Sequence, residues 1–205
     1  MKNILFAASE CVPFVKTGGL ADVVGALPKS LDKDKYDVRV VIPDYTSIPQ
    51  KYRSRFSYLD SFYMDLGELG NFYVGIMTCE FDGIRYYYID NEHFFQGERL
   101  YSDILWDIQK FSFFSKAVLE TLTHIDYEPD VIHCNDWQTA LIPVYLNVFY
   151  RGVPKLSRTH TVFTIHNIQY QGQFGLDVAG DVCGLPDWAI GKVEFHGDLN
   201  MMKGA

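Results

Sequence analysis

The sequence has only four cysteines in 205 residues, and Cys11, Cys79, Cys134 and Cys183 stand too far apart to form any CxxC pair. A chain of this length that is 48% hydrophobic can build a core without staples, so reduced, partly buried thiols are expected. HExxH and Cys/His pairs at finger spacing are missing despite six histidines, so no metal is expected. No apolar run is long enough to span a bilayer, and MKNILFAAS lacks the length and cleavage pattern of a signal peptide. The expected compartment is the cytoplasm, with no membrane partner. Basic residues are in the minority, 18 Lys and Arg against 26 Asp and Glu for a formal net charge of −8, and they are scattered. That distribution gives no electrostatic grip on nucleic acid. Internal repeats, low-complexity tracts and Pro/Ser linkers are absent as well, so one domain over residues 1–205 is the default.

What is present is an alternation of strand and helix patterns. NILFAAS at 3–9 is a short apolar run of the kind found in strands buried on both faces. After it, Leu20, Val23, Val24 and Leu27 recur at helical steps, with the region of Pro28 expected to end the helix. DVRVVIP at 37–43 supplies a second strand, so the first 43 residues read as a βαβ unit and imply a parallel sheet. Between 58 and 90, YLDSFYMDL, FYVGIMTCEF and IRYYYID are aromatic, β-branched runs separated by Gly-containing turns, and read as hairpin strands that extend or flank the sheet. A helix at 108–122, a strand DVIHC at 130–134, a helix from 136 to about 149 and a strand TVFTI at 161–165 resume the alternation. The chain ends at NMMKGA without a clear terminal element. Tyr86, Tyr87, Tyr88, Phe94 and Phe95 read as sheet and core aromatics, not as a sugar-stacking platform.

In an open α/β sheet, ligands bind outside the carboxyl ends of the strands. Three polar segments should meet there: Lys16-Thr17-Gly18-Gly19 after the first strand, Asn135-Asp136-Trp137 after DVIHC, and His166-Asn167 after TVFTI. KTGG is neither a P-loop nor GxGxxG, so no nucleotide fingerprint applies. Two adjacent glycines before a helix serve where the backbone takes a positive φ or where something approaches closely. Exposed N–H groups at a helix start, beside a lysine, suit a phosphate or a hydroxyl-rich ligand, and the same residues also fit a plain glycine turn with a solvated lysine. Asp136 fits a helix N-cap as well as a site carboxylate, and His166 a hydrogen-bonded strand-end histidine as well as a catalytic one.

KTGGLADVVGALPK at 16–29, HCNDWQTALIPVYL at 133–146 and FTIHNIQYQGQFG at 163–175 closely resemble the bacterial glycogen synthase and plant starch synthase family, in the same order and at similar separations. Weaker similarity runs through 100–120 and 194–205. The resemblance implies a retaining glucosyltransferase of the GT-B type, with two Rossmann-like domains facing across a cleft. This chain would be the N-terminal, acceptor-side domain: α/β, a mostly parallel sheet with flanking helices and a β-hairpin-rich insertion. The implied reaction moves glucose from ADP-glucose to the non-reducing end of an α-1,4-glucan, with no cofactor. Lys16, Thr17, Gly18, Gly19, Asp22 and Asn167 would contact substrate, the first and the glycines at the donor diphosphate and glucose. Asp136 and His166 would lie beside the transferred glucose as catalytic residues.

The chain departs from the family pattern at Lys110, where an arginine is usual before Phe111, and at His196, where tyrosine is common. The family's second domain, which carries most nucleotide contacts, is not in this sequence. NMMKGA falls where the family chain continues, so the resemblance implies a fragment without transfer activity of its own. A UDP-glucose-dependent transferase of the same architecture and a non-catalytic glucan-binding protein are the two competing readings.

Overall fold

The computed structural model describes residues 1–97 and 99–205. Its centre is a seven-stranded sheet made of β1 (Lys2–Ala7), β2 (Tyr36–Pro43), β3 (Ser57–Asp65), β4 (Asn71–Phe81), β5 (Ile84–Asp90), β6 (Val131–Asn135) and β7 (His160–Thr164). The strand order is β3-β4-β5-β2-β1-β6-β7. β5, β2, β1, β6 and β7 run parallel, and β4 and β3 add an antiparallel pair at one edge. The expected βαβ unit is present, with Lys2 opposite Tyr36 and Ala7 opposite Val41. The hairpin strands extend the main sheet instead of forming a separate one, because β5 pairs with β2 from Arg39–Arg85 to Pro43–Ile89.

Apolar residues fill both faces of this sheet. On one, Phe14 is met edge-on by Tyr52, Phe81, Tyr86 and Tyr88 at centroid separations of 4.9 to 5.5 Å. Such pairs contribute about 0.5–1.5 kcal/mol each beyond burial. Tyr86, Tyr88, Phe94 and Phe95 are all buried, as their runs imply. The four cysteines are free and buried, and burial pushes the Cys11 and Cys183 thiols up to about 12, where they remain protonated and unreactive.

Helix α1 (Gly19–Ser30) follows β1, and α2 (Ile104–His124) packs against the sheet through Phe111, Phe113 and Phe114. No described helix is long and apolar enough to cross a membrane. α1 differs from its sequence pattern in two respects. Pro28 lies inside the helix, whose last turn runs on to Ser30. The buried stripe is Leu20, Ala21, Val24, Gly25 and Pro28, while Leu27 is exposed. Gly25 sets this rotation: a Cβ there would stand 2.2 Å from Val12 Cγ2, so the helix backbone can lie directly on the Val12 loop only through glycine.

The single helix expected from 136 to 149 is three pieces: a 3₁₀ turn at Trp137–Thr139, α3 (Leu141–Tyr145) and a wider π turn at Leu146–Tyr150. Pro143 has no N–H to give the Thr139 carbonyl, and the Thr139 hydroxyl instead bonds back to the carbonyls of Asn135 and Asp136 at 3.0 and 3.1 Å. The terminal region also has more order than its sequence suggests. β8 (Gln173–Gly175), β9 (Glu194–Phe195) and β10 (Asp198–Asn200) form a small antiparallel sheet, followed by a helical turn at Met201–Gly204. Gly172, at φ +65, lets this unit approach: a Cβ there would be 2.8 Å from the Trp137 ring and 3.0 Å from Met201.

Candidate active-site cleft

The segments that follow β1, β6 and β7 meet at the carboxyl end of the sheet and line one cleft of about 1000 Å³. Thr17, Gly18, Gly19, Asp136, His166 and Asn167 all border it. Lys16 and Asp22 do not. Lys16 borders a smaller neighbouring hollow, and its ammonium is held by both oxygens of Asp22 at 2.6 and 2.7 Å. Both side chains of that pair are about half exposed, at 50% and 56%, so the pair is easily exchanged for another partner.

Neither glycine of KTGG is needed by the fold around it. Gly18 is extended at φ −146, and a Cβ on it would make only an ordinary 3.6 Å contact with Glu10. A Cβ on Gly19 would meet no described atom within 4 Å. The space beside Gly19 opens onto the cleft, so of the two reasons for glycine it is close approach, not positive φ, that fits here. Helix α1 has no side-chain cap, and its first N–H groups therefore lack the partner that a helix start usually finds. The N–H groups of Thr17 and Gly18 are already taken. Glu10, buried three residues after β1, accepts from the Thr17 N–H, from the Thr17 hydroxyl at 2.8 Å and from the Gly18 N–H at 3.3 Å. Anion-binding capacity is thus concentrated on the first turn of α1.

Asp136 does not cap the turn that it opens. Its backbone is at φ +58, ψ 176, a region that only glycine enters freely. Its N–H donates to the Thr164 carbonyl at 3.0 Å, and its Oδ1 accepts from the N–H groups of His166 at 2.7 Å and Asn167 at 3.2 Å. The strained residue therefore clamps the loop after β7 to the end of β6. His166 is exposed to the cleft, with Nε2 2.9 Å from Oδ1 of the buried Asn135. Nearby, burial pushes the His133 imidazole down, and the neighbouring His166 ring adds to the effect. His133 stays neutral and shares a 2.6 Å hydrogen bond with the Thr164 hydroxyl.

Several cleft residues were not singled out by sequence reasoning. Glu10 obeys the same rule as the others, a polar residue immediately after a buried strand, and could have been found by it. Tyr101 bonds the Ser9 hydroxyl at 2.8 Å, and burial together with the Glu10 and Asp136 carboxylates raises its hydroxyl, so it remains a neutral donor. Trp137, which the sequence places only within the polar segment after β6, packs edge-on against Phe111 at 5.2 Å and with Phe174 forms an apolar wall. At Lys110 the ammonium is buried and bonds the Leu100 carbonyl at 2.7 Å and Asp107 at 3.1 Å. Asp107 also accepts from the Ser102 N–H, so the pair holds the 100–102 loop at the cleft's edge.

Comparison with known proteins gives this geometry a family. Residues 3–205 match the model of the starch synthase catalytic domain. The chain belongs to that family. It is 50% identical over its whole length to a glycogen synthase of Lachnospira eligens, and 49% identical over 98% of its length to one of Bacillus cereus. The catalytic domain of starch synthase IV from Arabidopsis thaliana, solved bound to ADP and acarbose, is 28% identical and superposes with a TM-score of 0.84 over 99% of this chain. The family fold is the GT-B glycosyltransferase domain built on a mostly parallel α/β sheet, which agrees with the strand order here. The chain spans only 43% of the Lachnospira protein, 42% of the Bacillus protein and 42% of the Arabidopsis chain.

Proposed function

We propose that residues 1–205 are the N-terminal, acceptor-side domain of a retaining glucosyltransferase that works in the cytoplasm, where buried thiols stay reduced. It would transfer glucose from ADP-glucose to the non-reducing end of an α-1,4-glucan, as in glycogen or starch synthesis. The observation that carries this reading is the uncapped start of α1 beside the open space at Gly19, bordering the same cleft as Asp136 and His166. A diphosphate at the first turn of α1 would meet the positive end of the helix dipole. Lys16, released from Asp22, would add a full positive charge. As the glycosidic bond to the diphosphate breaks, negative charge grows on the leaving group, and groups already fixed there stabilise the transition state more than the ground state. Asp136 and His166 would border the transferred glucose, with Asn167 held in place through Asp136. The cleft volume of about 1000 Å³ is at the upper end for small-ligand sites and leaves room for both a sugar nucleotide and the end of a glucan.

On this reading the remaining nucleotide contacts come from a C-terminal domain outside this sequence, and closure of the two domains assembles the site and excludes water. The experiment is glucose transfer to glycogen by the full-length parent, with ADP-glucose and UDP-glucose supplied separately and in competition. Transfer from ADP-glucose that UDP-glucose hardly inhibits is expected. Preference for UDP-glucose would replace the donor, and glycogen binding without transfer from either donor would replace the enzyme reading by a glucan-binding one.

A further inference from the structure

We infer that Asn135 is a positioning residue that fixes the His166 ring in its Nε2–H form and leaves Nδ1 as the hydrogen-bond acceptor available to substrate. The inference deepens the glucosyl-transfer reading of the cleft and rests on it for its functional part. Asn135 is the last residue of β6, 1% exposed, with Thr164 of β7 as its register partner. Its side chain ties together the ends of three adjacent strands. Nδ2 donates to the carbonyl of Ala7, the last residue of β1, at 3.1 Å and to the carbonyl of His133 at 3.0 Å, while Oδ1 faces His166 Nε2 at 2.9 Å.

The two carbonyl partners decide the orientation of the amide. Turning it over would set its oxygen 3.0 to 3.1 Å from two carbonyl oxygens that, like it, can only accept. Oδ1 therefore has to face His166, and because Oδ1 can only accept, Nε2 has to carry the proton. In the neutral ring the remaining nitrogen, Nδ1, is then unprotonated. Among the described residues it has no hydrogen-bond partner, and His166 borders the cleft, so a sugar hydroxyl can donate to it. Consecutive residues thus divide the work: Asp136 holds the His166 backbone through its N–H, and Asn135 holds the ring. A hydrophobic residue of similar size at 135 would keep the packing but leave both tautomers open.

The test reads the ring directly. In the 205-residue chain labelled with ¹⁵N-histidine, at alkaline pH and with His166→Gln used for assignment, the His166 Nε2 signal should be pyrrole-like and Nδ1 pyridine-like, with the Nε2 proton slow to exchange. Asn135→Leu should remove that slow proton and mix the tautomers; Asn135→Ser is the alternative if the leucine variant does not fold. An Nδ1–H ring in the unmodified chain, or an unchanged spectrum in a folded Asn135 variant, overturns the assignment. In the full-length parent, Asn135→Leu should lower kcat by about ten- to a hundredfold with little change in donor KM. Combining it with His166→Ala should cost nothing beyond His166→Ala alone, whereas additive losses would contradict action through the ring. A parent with the expected tautomer but no glucosyl transfer sinks the functional reading and leaves the ring assignment standing.

Discussion

Asp136→Ala is expected to destabilise the 205-residue chain by about 1–3 kcal/mol and to lower transfer by the full-length parent by about a hundredfold or more. The stability loss has two sources. The carboxylate that accepts from the His166 and Asn167 N–H groups disappears, and alanine is left in the same strained backbone, at φ +58, without any compensating bond. Asp136→Gly separates these sources. It removes the same carboxylate but takes the backbone conformation without strain, so it should be more stable than Asp136→Ala by about 1 kcal/mol or more. Both variants should be equally poor in transfer, because both free the loop that carries His166. Urea unfolding of the two chains measures the first difference. Equal stabilities would mean that the residue carries no backbone strain, and near-normal transfer by either variant would mean that the clamp is not needed for chemistry.

Gly19→Leu is expected to act in the opposite way, leaving the fold intact and abolishing function. A side chain at position 19 meets no described atom at its Cβ and lies at the first position of a twelve-residue helix, where leucine is a better helix former than glycine. Unfolding stability should stay within about 0.5 kcal/mol of the unmodified chain or rise slightly. In the parent the leucine would occupy the space assigned to the donor and displace it from the α1 N–H groups, and misplacement of this kind costs about a hundredfold in rate. Titration with ADP should show the matching loss of affinity. A destabilised Gly19→Leu chain would return the glycine to a structural role, and a stable, fully active one would empty the cleft of its donor.

These two residues also show what the sequence could and could not reveal. Buried strands followed at once by polar residues are a local pattern, and the positions of Asp136, His166 and Asn167 on one rim followed from it. Gly19 was legible as a place of close approach, but nothing local distinguished it from Gly25, whose neighbour Val12 lies thirteen residues earlier. The sequence pattern puts Lys16 in the cleft and does not register its contact with Asp22, because the two meet around the start of α1 and not along one helix face. The pattern after Asp136 reads as one helix of the right extent, and its division into three pieces escapes it because Pro143 and the Thr139 hydroxyl act together, through bonds that periodicity does not register. The small terminal sheet has strands of two and three residues, too short for any alternation to show.

The claim that joins these parts is that this domain supplies half of a donor site. The most direct measurement is glucose transfer from ADP-glucose to glycogen by three proteins side by side: the full-length parent, the parent carrying Lys16→Ala, and the 205-residue chain alone. The parent should transfer glucose, and Lys16→Ala should reduce the rate by about a hundredfold. That substitution should leave stability unchanged, since only an exposed ion pair is lost. The 205-residue chain should transfer none. Transfer by the 205-residue chain alone, or a Lys16→Ala parent as active as the unmodified one, would contradict a site divided between two domains with Lys16 at the donor.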